Sequence, residues 1–180
     1  MKKAIFMFLI VVLIISAMAQ KYPDLGLKAI GAKVGPAIPD SPYKIGFAFG
    51  VYAELGKLHR IIASEATIEY MRVTKEVQKI YTNAHSDLCL ILTLKLLPEV
   101  KNLPFQPYLG GGVGFHYLTD TPDQTLQANA LITHKTRPEL HIAIGATYPL
   151  KENIDAIFTF KVNLSDISTY NPYLGVSFSM

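Results

Sequence analysis

The chain has 180 residues, 50% of them hydrophobic and 17% charged, with one cysteine and no tryptophan, which is one domain's worth by the usual range of about 100–200 residues. Its 17 basic and 14 acidic residues give +3, a balance without a nucleic-acid footprint, and a single cysteine excludes a disulfide framework or a multi-cysteine zinc or iron–sulfur centre. Mean hydropathy is +0.26 while the charged fraction lies below the roughly 25% of soluble domains, so something other than water is expected to solvate part of the surface.

Met1-Lys2-Lys3 is a positive start, Ala4 to Ile15 an uninterrupted apolar run, and Ala17-Met18-Ala19 a small-x-small site before Gln20. Together they predict a cleaved secretory signal over 1–19 and a mature domain over 20–180. The rival, an uncleaved anchor, is disfavoured because the run is shorter than the roughly 20 residues of a spanning helix. No cysteine follows the apolar run, so a lipoprotein anchor is not expected. Without Lys2 and Lys3 the balance is 15 basic against 14 acidic, or +1.

Beyond residue 19 the pattern changes from continuous to alternating, the period of a strand with two different faces. Leu25 to Gly35 is a first strand with its parity blurred by glycine and alanine, and a bulge is allowed for. Tyr43 to Leu55 sets Tyr43, Ile45, Phe47, Phe49 and Val51 against Lys44, Gly46, Gly50, Tyr52 and Glu54. Ile62 to Tyr70 sets Ile68 and Tyr70 against Glu65, Thr67 and Glu69. Ser86 to Leu97 places Leu88, Leu90, Leu92, Leu94 and Leu96 opposite Asp87, Cys89, Ile91, Thr93 and Lys95. A helix stripe would need spacings of three and four instead. Pro107 to Leu118, Arg137 to Tyr148, Ile154 to Leu164 and Tyr173 to Met180 repeat the alternation, making eight strands.

The connections 36–42, 72–85, 119–135 and 165–171 fall on one side, and 56–60, 98–105 and 149–153 on the other, as in an up-and-down meander; Thr119 to Arg137 has room for a short helical turn. In outer-membrane barrels the longer loops face outward and the short turns face the periplasm, which places both termini on the periplasmic side. Eight strands of about ten residues also match the length of a tilted transmembrane strand.

Alternation alone does not say which face is inside. Glycine-rich faces pack poorly in water, whereas the interior of an eight-stranded barrel has room only for its own side chains. The glycine, tyrosine and charged parity therefore belongs inside and the Leu/Ile/Phe parity toward lipid. Tyr43, Tyr70, Tyr117 and Tyr148 fall at the ends of the apolar faces, where an interfacial girdle would sit. The predicted fold is all-β: an eight-stranded antiparallel up-and-down transmembrane β-barrel.

Leu25-Gly26-Leu27-Lys28, Gly46-Phe47-Ala48-Phe49-Gly50-Val51-Tyr52-Ala53-Glu54 and Gln106-Pro107-Tyr108-Leu109-Gly110-Gly111-Gly112-Val113-Gly114 occur in an order that resembles the small bacterial outer-membrane β-barrel proteins of OmpA/OmpX-like shape, the outer membrane protein β-barrel domain group. The resemblance covers essentially the whole mature chain. Tyr173 to Met180 is similar to the terminal-strand signal read by the barrel-assembly machinery, with Met180 where Phe is usual. The resemblance implies an outer-membrane location in a two-membraned bacterium, contact with outer-membrane lipid, handling by that machinery during biogenesis, and no assigned activity.

The inner parity carries Lys44, Glu54, Glu65, Glu69, Asp87, Lys95, Glu139, His141, Asp155 and Lys161. Hairpin pairing predicts Lys44 near Glu69, Lys95 near Glu65 or Glu54, and Lys161 near Glu139 and His141, since buried charges need partners. These are read as structural charges that plug the lumen. His116 and His141 with Glu139 are a thin case for a metal, and none is assigned; no cofactor is expected. Catalysis by a histidine-activated serine meets the obstacle that His85 and Ser86, adjacent on a strand, point to opposite faces. Gly110 to Gly114 lacks the following Lys-Ser/Thr and helix of a phosphate loop and reads as small interior packing. Cys89 reads as an inert buried thiol.

The expected role is therefore structural or surface-interacting rather than enzymatic, with contacts to protein or lipopolysaccharide made by the loops near 72–85 and 119–135. Two alternatives are a barrel-embedded lipid-modifying enzyme and a secreted, lipocalin-like soluble barrel binding an apolar ligand. The last would turn the leucines of the fourth strand inward.

Overall fold

The computed structural model describes residues 24–40, 42–77, 81–100, 102–122, 131–164 and 167–180; the expected signal segment, 1–19, lies outside them. Eight strands follow one another: β1 (Asp24–Pro39), β2 (Tyr43–His59), β3 (Ile62–Val77), β4 (Tyr81–Leu96), β5 (Gln106–Thr121), β6 (Thr133–Lys151), β7 (Ile154–Leu164) and β8 (Thr169–Ser179). Each pairs antiparallel with the next, and β8 pairs with β1 to close the barrel. Closure leaves no row of unpaired backbone groups, the requirement for a sheet in hydrocarbon.

The period-two pattern fixes which face is which. In β4, Leu90 is 59% exposed and its neighbour Cys89 3%. Leu88 and Leu92 join Leu90 outside, while Asp87, Ile91, Thr93 and Lys95 are buried. The same split places Ile30, Val34, Phe49, Val51, Ile68, Phe115, Ile142, Ile144, Phe158 and Leu174 on the exterior. An apolar band running round all eight strands far exceeds the few hundred Å² of contiguous apolar surface a soluble monomer tolerates. The lipocalin-like alternative, with the leucines inside, is the arrangement this chain does not adopt.

The strands are taller than the sequence pattern reaches. Between β3 and β4 the ladder continues in register through Arg72↔Ser86, Thr74↔Ala84 and Lys75↔Asn83 up to Val77↔Tyr81, so the expected 72–85 loop shrinks to 78–80. Likewise 36–42 becomes 40–42, and 119–135 becomes 122–132 with Thr119–Thr121 and Thr133–Arg137 in strands rather than in a helical turn. Residues 123–130 of that connection lie outside the described ones. Above the apolar band, polar residues occupy both faces, which erases alternation without stopping backbone pairing. At the end that carries the termini, the connection 97–105 is longer than three of the four at the opposite end, so connection length does not sort the two ends as the sequence pattern predicted.

Two irregularities matter. On β2, Lys44 pairs with Thr74 and Phe47 with Arg72, so Ile45 and Gly46 face the single Val73. This bulge shifts parity by one residue. Lys44 is therefore exposed instead of facing the lumen, and Tyr43 turns inward to pack against Ala37, Ala48, Met71, Val73 and Tyr173 instead of joining an outer girdle. Tyr70, Tyr117 and Tyr148 keep the outward parity. The second irregularity is near the termini, where the register shifts between Leu25 and Ala29. Gly56 there has φ 89°, and a Cβ on it would lie 2.1 Å from Asp24 O, so only glycine fits without strain.

Candidate functional site

Inward parity on β1 to β7 brings the charged side chains into two neighbouring groups. The first lies toward the end that carries the termini. Glu65 on β3 forms an ion pair with Lys95 on β4 and lies 3.5 Å from Lys33 Nζ on β1. Thr67 Oγ1 donates to Glu65 Oε1 at 2.9 Å, and Lys95 Nζ donates to Glu54 Oε1 at 3.2 Å. Tyrosine faces complete the group: Lys95 Nζ is 4.8 Å from the Tyr108 ring centre, and Lys33 Nζ is 5.7 Å from that of Tyr52 and 5.4 Å from that of Tyr173. Lysine over an aromatic face is attractive, more so when desolvated.

The second group is centred on Glu139 of β6. Lys161 Nζ donates to Glu69 Oε1 at 2.8 Å and lies 3.5 Å from Glu139 Oε1. Cys89 donates its thiol to Glu139 Oε2 at 2.6 Å. His116 bonds through Nδ1 to Asp87, and its Nε2 lies 3.0 Å from Glu139 Oε2 without hydrogen-bond alignment. His141 shares a hydrogen bond between Nε2 and Thr93 Oγ1 at 3.0 Å, leaving Nδ1 buried, unbonded and 3.6 Å from Glu139 Oε1. Asp87, Cys89, His116, Glu139 and His141 are all buried.

The strand register explains how residues of β4 and β6 meet across β5. Cys89 pairs directly with His116, while Gly114 stands between Ile91 and Glu139, and Gly112 between Thr93 and His141. A Cβ on Gly114 would lie 3.2 Å from both Cys89 Sγ and Glu139 Oε2, and one on Gly112 would lie 2.7 Å from His141 Cε1. The bare glycines are the openings through which the β6 side chains reach β4.

Of the residues singled out from the sequence, Lys95 stands with Glu54 and Glu65, and Lys161 with Glu139. His141 reaches Glu139 as well, but Glu69 is matched by Lys161, not by Lys44, for the parity reason given above. Lys33 was missed, although Ile30, Val34 and Ile38 mark the outward parity of β1. The Asp87–His116 pair and the role of Cys89 were also missed; direct pairing of the fourth and fifth strands was the available signal.

At the opposite end, His85 Nδ1 lies 2.6 Å from Asp120 Oδ1, with the Tyr43 ring 5.8 Å from the imidazole, in a pocket of about 340 Å³ that Lys75, Asn83 and Thr133 also line. Ser86 points to the other face, where Tyr70 donates to its Oγ at 3.3 Å.

No family model and no curated protein matches the chain. Solved structures do. Neisserial surface protein A (NspA) superposes with a TM-score of 0.62 at 14% identity, over 84% of this chain and 96% of that one. The outer membrane protein OprG of Pseudomonas aeruginosa gives 0.57 at 14% identity, over 87% and 97%. Ail of Yersinia pestis, solved with the heparin analogue sucrose octasulfate, gives 0.52 at 11% identity, over 86% and 97%. The fold is that of the small outer-membrane barrels: an eight-stranded, antiparallel, up-and-down transmembrane β-barrel.

Proposed function

We propose that residues 1–19 export the chain and are cleaved, and that 20–180 reside in the outer membrane of a two-membraned bacterium with both termini in the periplasm. The barrel there is plugged by its paired charges and serves a structural or surface-interaction role without catalysis. One observation carries this reading: the leucines of β4 and their equivalents on every other strand face outward while lysines and carboxylates are enclosed. Water would reverse that preference; hydrocarbon demands it.

Two further features support it. The last strand, Thr169–Ser179, closes the barrel against β1 through pairs such as Phe178↔Ile30, as a terminal strand handled by the barrel-assembly machinery must. Strands β1 to β6 run 16 to 19 residues against 11 for β7 and β8, more than the roughly 9–11 a bilayer needs. Except on β1, whose extra residues 24–28 lie at the end of the termini, the excess forms a wall at the opposite end, with Lys44 and Arg72 exposed on neighbouring strands. That wall and the 122–132 connection are the surface offered to protein or to lipopolysaccharide phosphate.

Membrane fractionation followed by electrophoresis of heated and unheated samples tests the reading. An outer-membrane pool that migrates differently before and after boiling is expected. Release of the chain without detergent would overturn it.

A further inference from the structure

The geometry points to a buried site for one zinc-type divalent ion inside the barrel, held by Cys89 Sγ, His116 Nε2 and a Glu139 carboxylate oxygen, with a fourth position left for a small ligand such as water. These three donors lie within 4.8 Å of one another. A zinc ion holds nitrogen and oxygen at about 2.0–2.2 Å and sulfur at about 2.3 Å, so Sγ and Nε2 draw back from Oε2 to seat it between them. The inference concerns the lumen alone and does not depend on which membrane holds the barrel.

Three observations separate this cluster from an ordinary buried ion pair. First, its nitrogens are aimed but unused: His116 Nε2 and His141 Nδ1 are buried without a hydrogen-bond partner, both beside Glu139. A cation held by Cys89 Sγ and Glu139 gives His116 Nε2 the partner it lacks. Second, each ring is anchored by its other nitrogen, His116 through Asp87 and His141 through Thr93. A carboxylate or hydroxyl behind the imidazole is how metal-ligating histidines are oriented. Third, Gly114 leaves open the space that a side chain would take beside Cys89 Sγ and Glu139 Oε2.

The donor set selects the ion. One thiolate, one imidazole and a carboxylate suit zinc and its borderline neighbours; calcium and magnesium want oxygen cages. Charge also balances. Cys89 gives up its thiol proton to solvent as the ion binds, and the thiolate and the Glu139 carboxylate together match the two charges of the dication. Lys161, 3.5 Å from Glu139 Oε1, is already matched by Glu69 at 2.8 Å, so it leaves Glu139 Oε2 to the ion.

The test uses barrels isolated from the membranes of cells expressing the full chain. Elemental analysis should find one zinc per chain, and Cys89→Ser should fall to the background of a metal-free control while still showing heat-modifiable migration. Chains unfolded with chelator and refolded with Co²⁺ should develop sulfur-to-cobalt charge-transfer absorption, absent in Cys89→Ser and in Cys89→Ala. Asp87→Asn should weaken Co²⁺ binding by about 10- to 100-fold with the band retained, which a merely structural role for Asp87 would not produce. A folded wild-type barrel that takes up no zinc and gives no sulfur band with Co²⁺ overturns the site. So does uptake undiminished by Cys89→Ser.

Discussion

Around Glu65 the inner face joins full charges to full charges: Lys95 and Lys33 share one carboxylate, Glu54 adds a second, and tyrosine rings flank the ammonium groups. Around Glu139, a few residues further along the same wall, one ammonium, that of Lys161, is paired with Glu69, and the other groups are a thiol, two imidazoles and carboxylates. There Glu69 Oε2, Asp87 Oδ1, His116 Nε2, Glu139 Oε1 and His141 Nδ1 are buried without hydrogen bonds. In the first group each ammonium and carboxylate has a partner within the chain, although the hydroxyls of Tyr52 and Tyr173 do not. In the second, the proposed ion would supply the partner that His116 Nε2 lacks. A lumen built for packing alone would have no reason to differ so sharply over one layer of side chains.

The largest effect that would break this comparison is removal of the shared carboxylate. Glu65→Leu leaves Lys33 and Lys95 without it and should destabilise the barrel by about 3–5 kcal/mol, the usual penalty for an uncompensated buried charge, read from urea unfolding in lipid vesicles. On the opposite face, Leu92→Arg should cost about 2–4 kcal/mol if that position lies at the bilayer midplane. The same measurement on Lys44→Leu, outside by virtue of the bulge, should show a smaller change than Lys95→Leu. In the second group, Lys161→Met strands Glu69, whereas Lys161→Met with Glu69→Leu removes a pair together; the double variant should unfold at a higher urea concentration than the single.

Smallest of all is the exposed turn pair in which Arg60 bonds Glu99. The guanidinium holds the Glu99 carboxyl below its ordinary value by hydrogen bonding. Whatever the pair contributes is therefore present above the unfolded carboxylate pKa of about 4.3 and is lost as pH falls below it. Glu99→Gln should leave the unfolding midpoint at neutral pH unchanged, since solvent screens exposed pairs.

The barrel was legible in the sequence because one physical rule, apolar outside and polar inside at period two, runs through all eight strands. It failed where that rule stops. In the upper rungs from Arg72 to Ser86 polar residues stand on both faces, so no alternation announces a strand. The bulge at Ile45 and Gly46 reverses the parity of Tyr43 and Lys44, and a single inserted residue leaves no mark in composition. Lys95 with Glu65 and Glu54 followed from neighbouring hairpins. Lys161 near Glu139 and His141 followed in the same way, but the approach of Cys89 to Glu139 did not, because it needs the register of three strands and the openings at Gly112 and Gly114, which read from the sequence only as small interior packing.

The orientation of the β4 side chains decides which face of the barrel meets lipid. In a Cys89→Ala background, Leu90→Cys and Leu92→Cys can be labelled with a fluorophore and reconstituted in vesicles containing either spin-labelled lipid or an aqueous quencher. Quenching by the lipid probe and silence toward the aqueous one is the predicted result at both positions. Quenching by the aqueous probe alone would contradict the fold's assignment of lipid to that face.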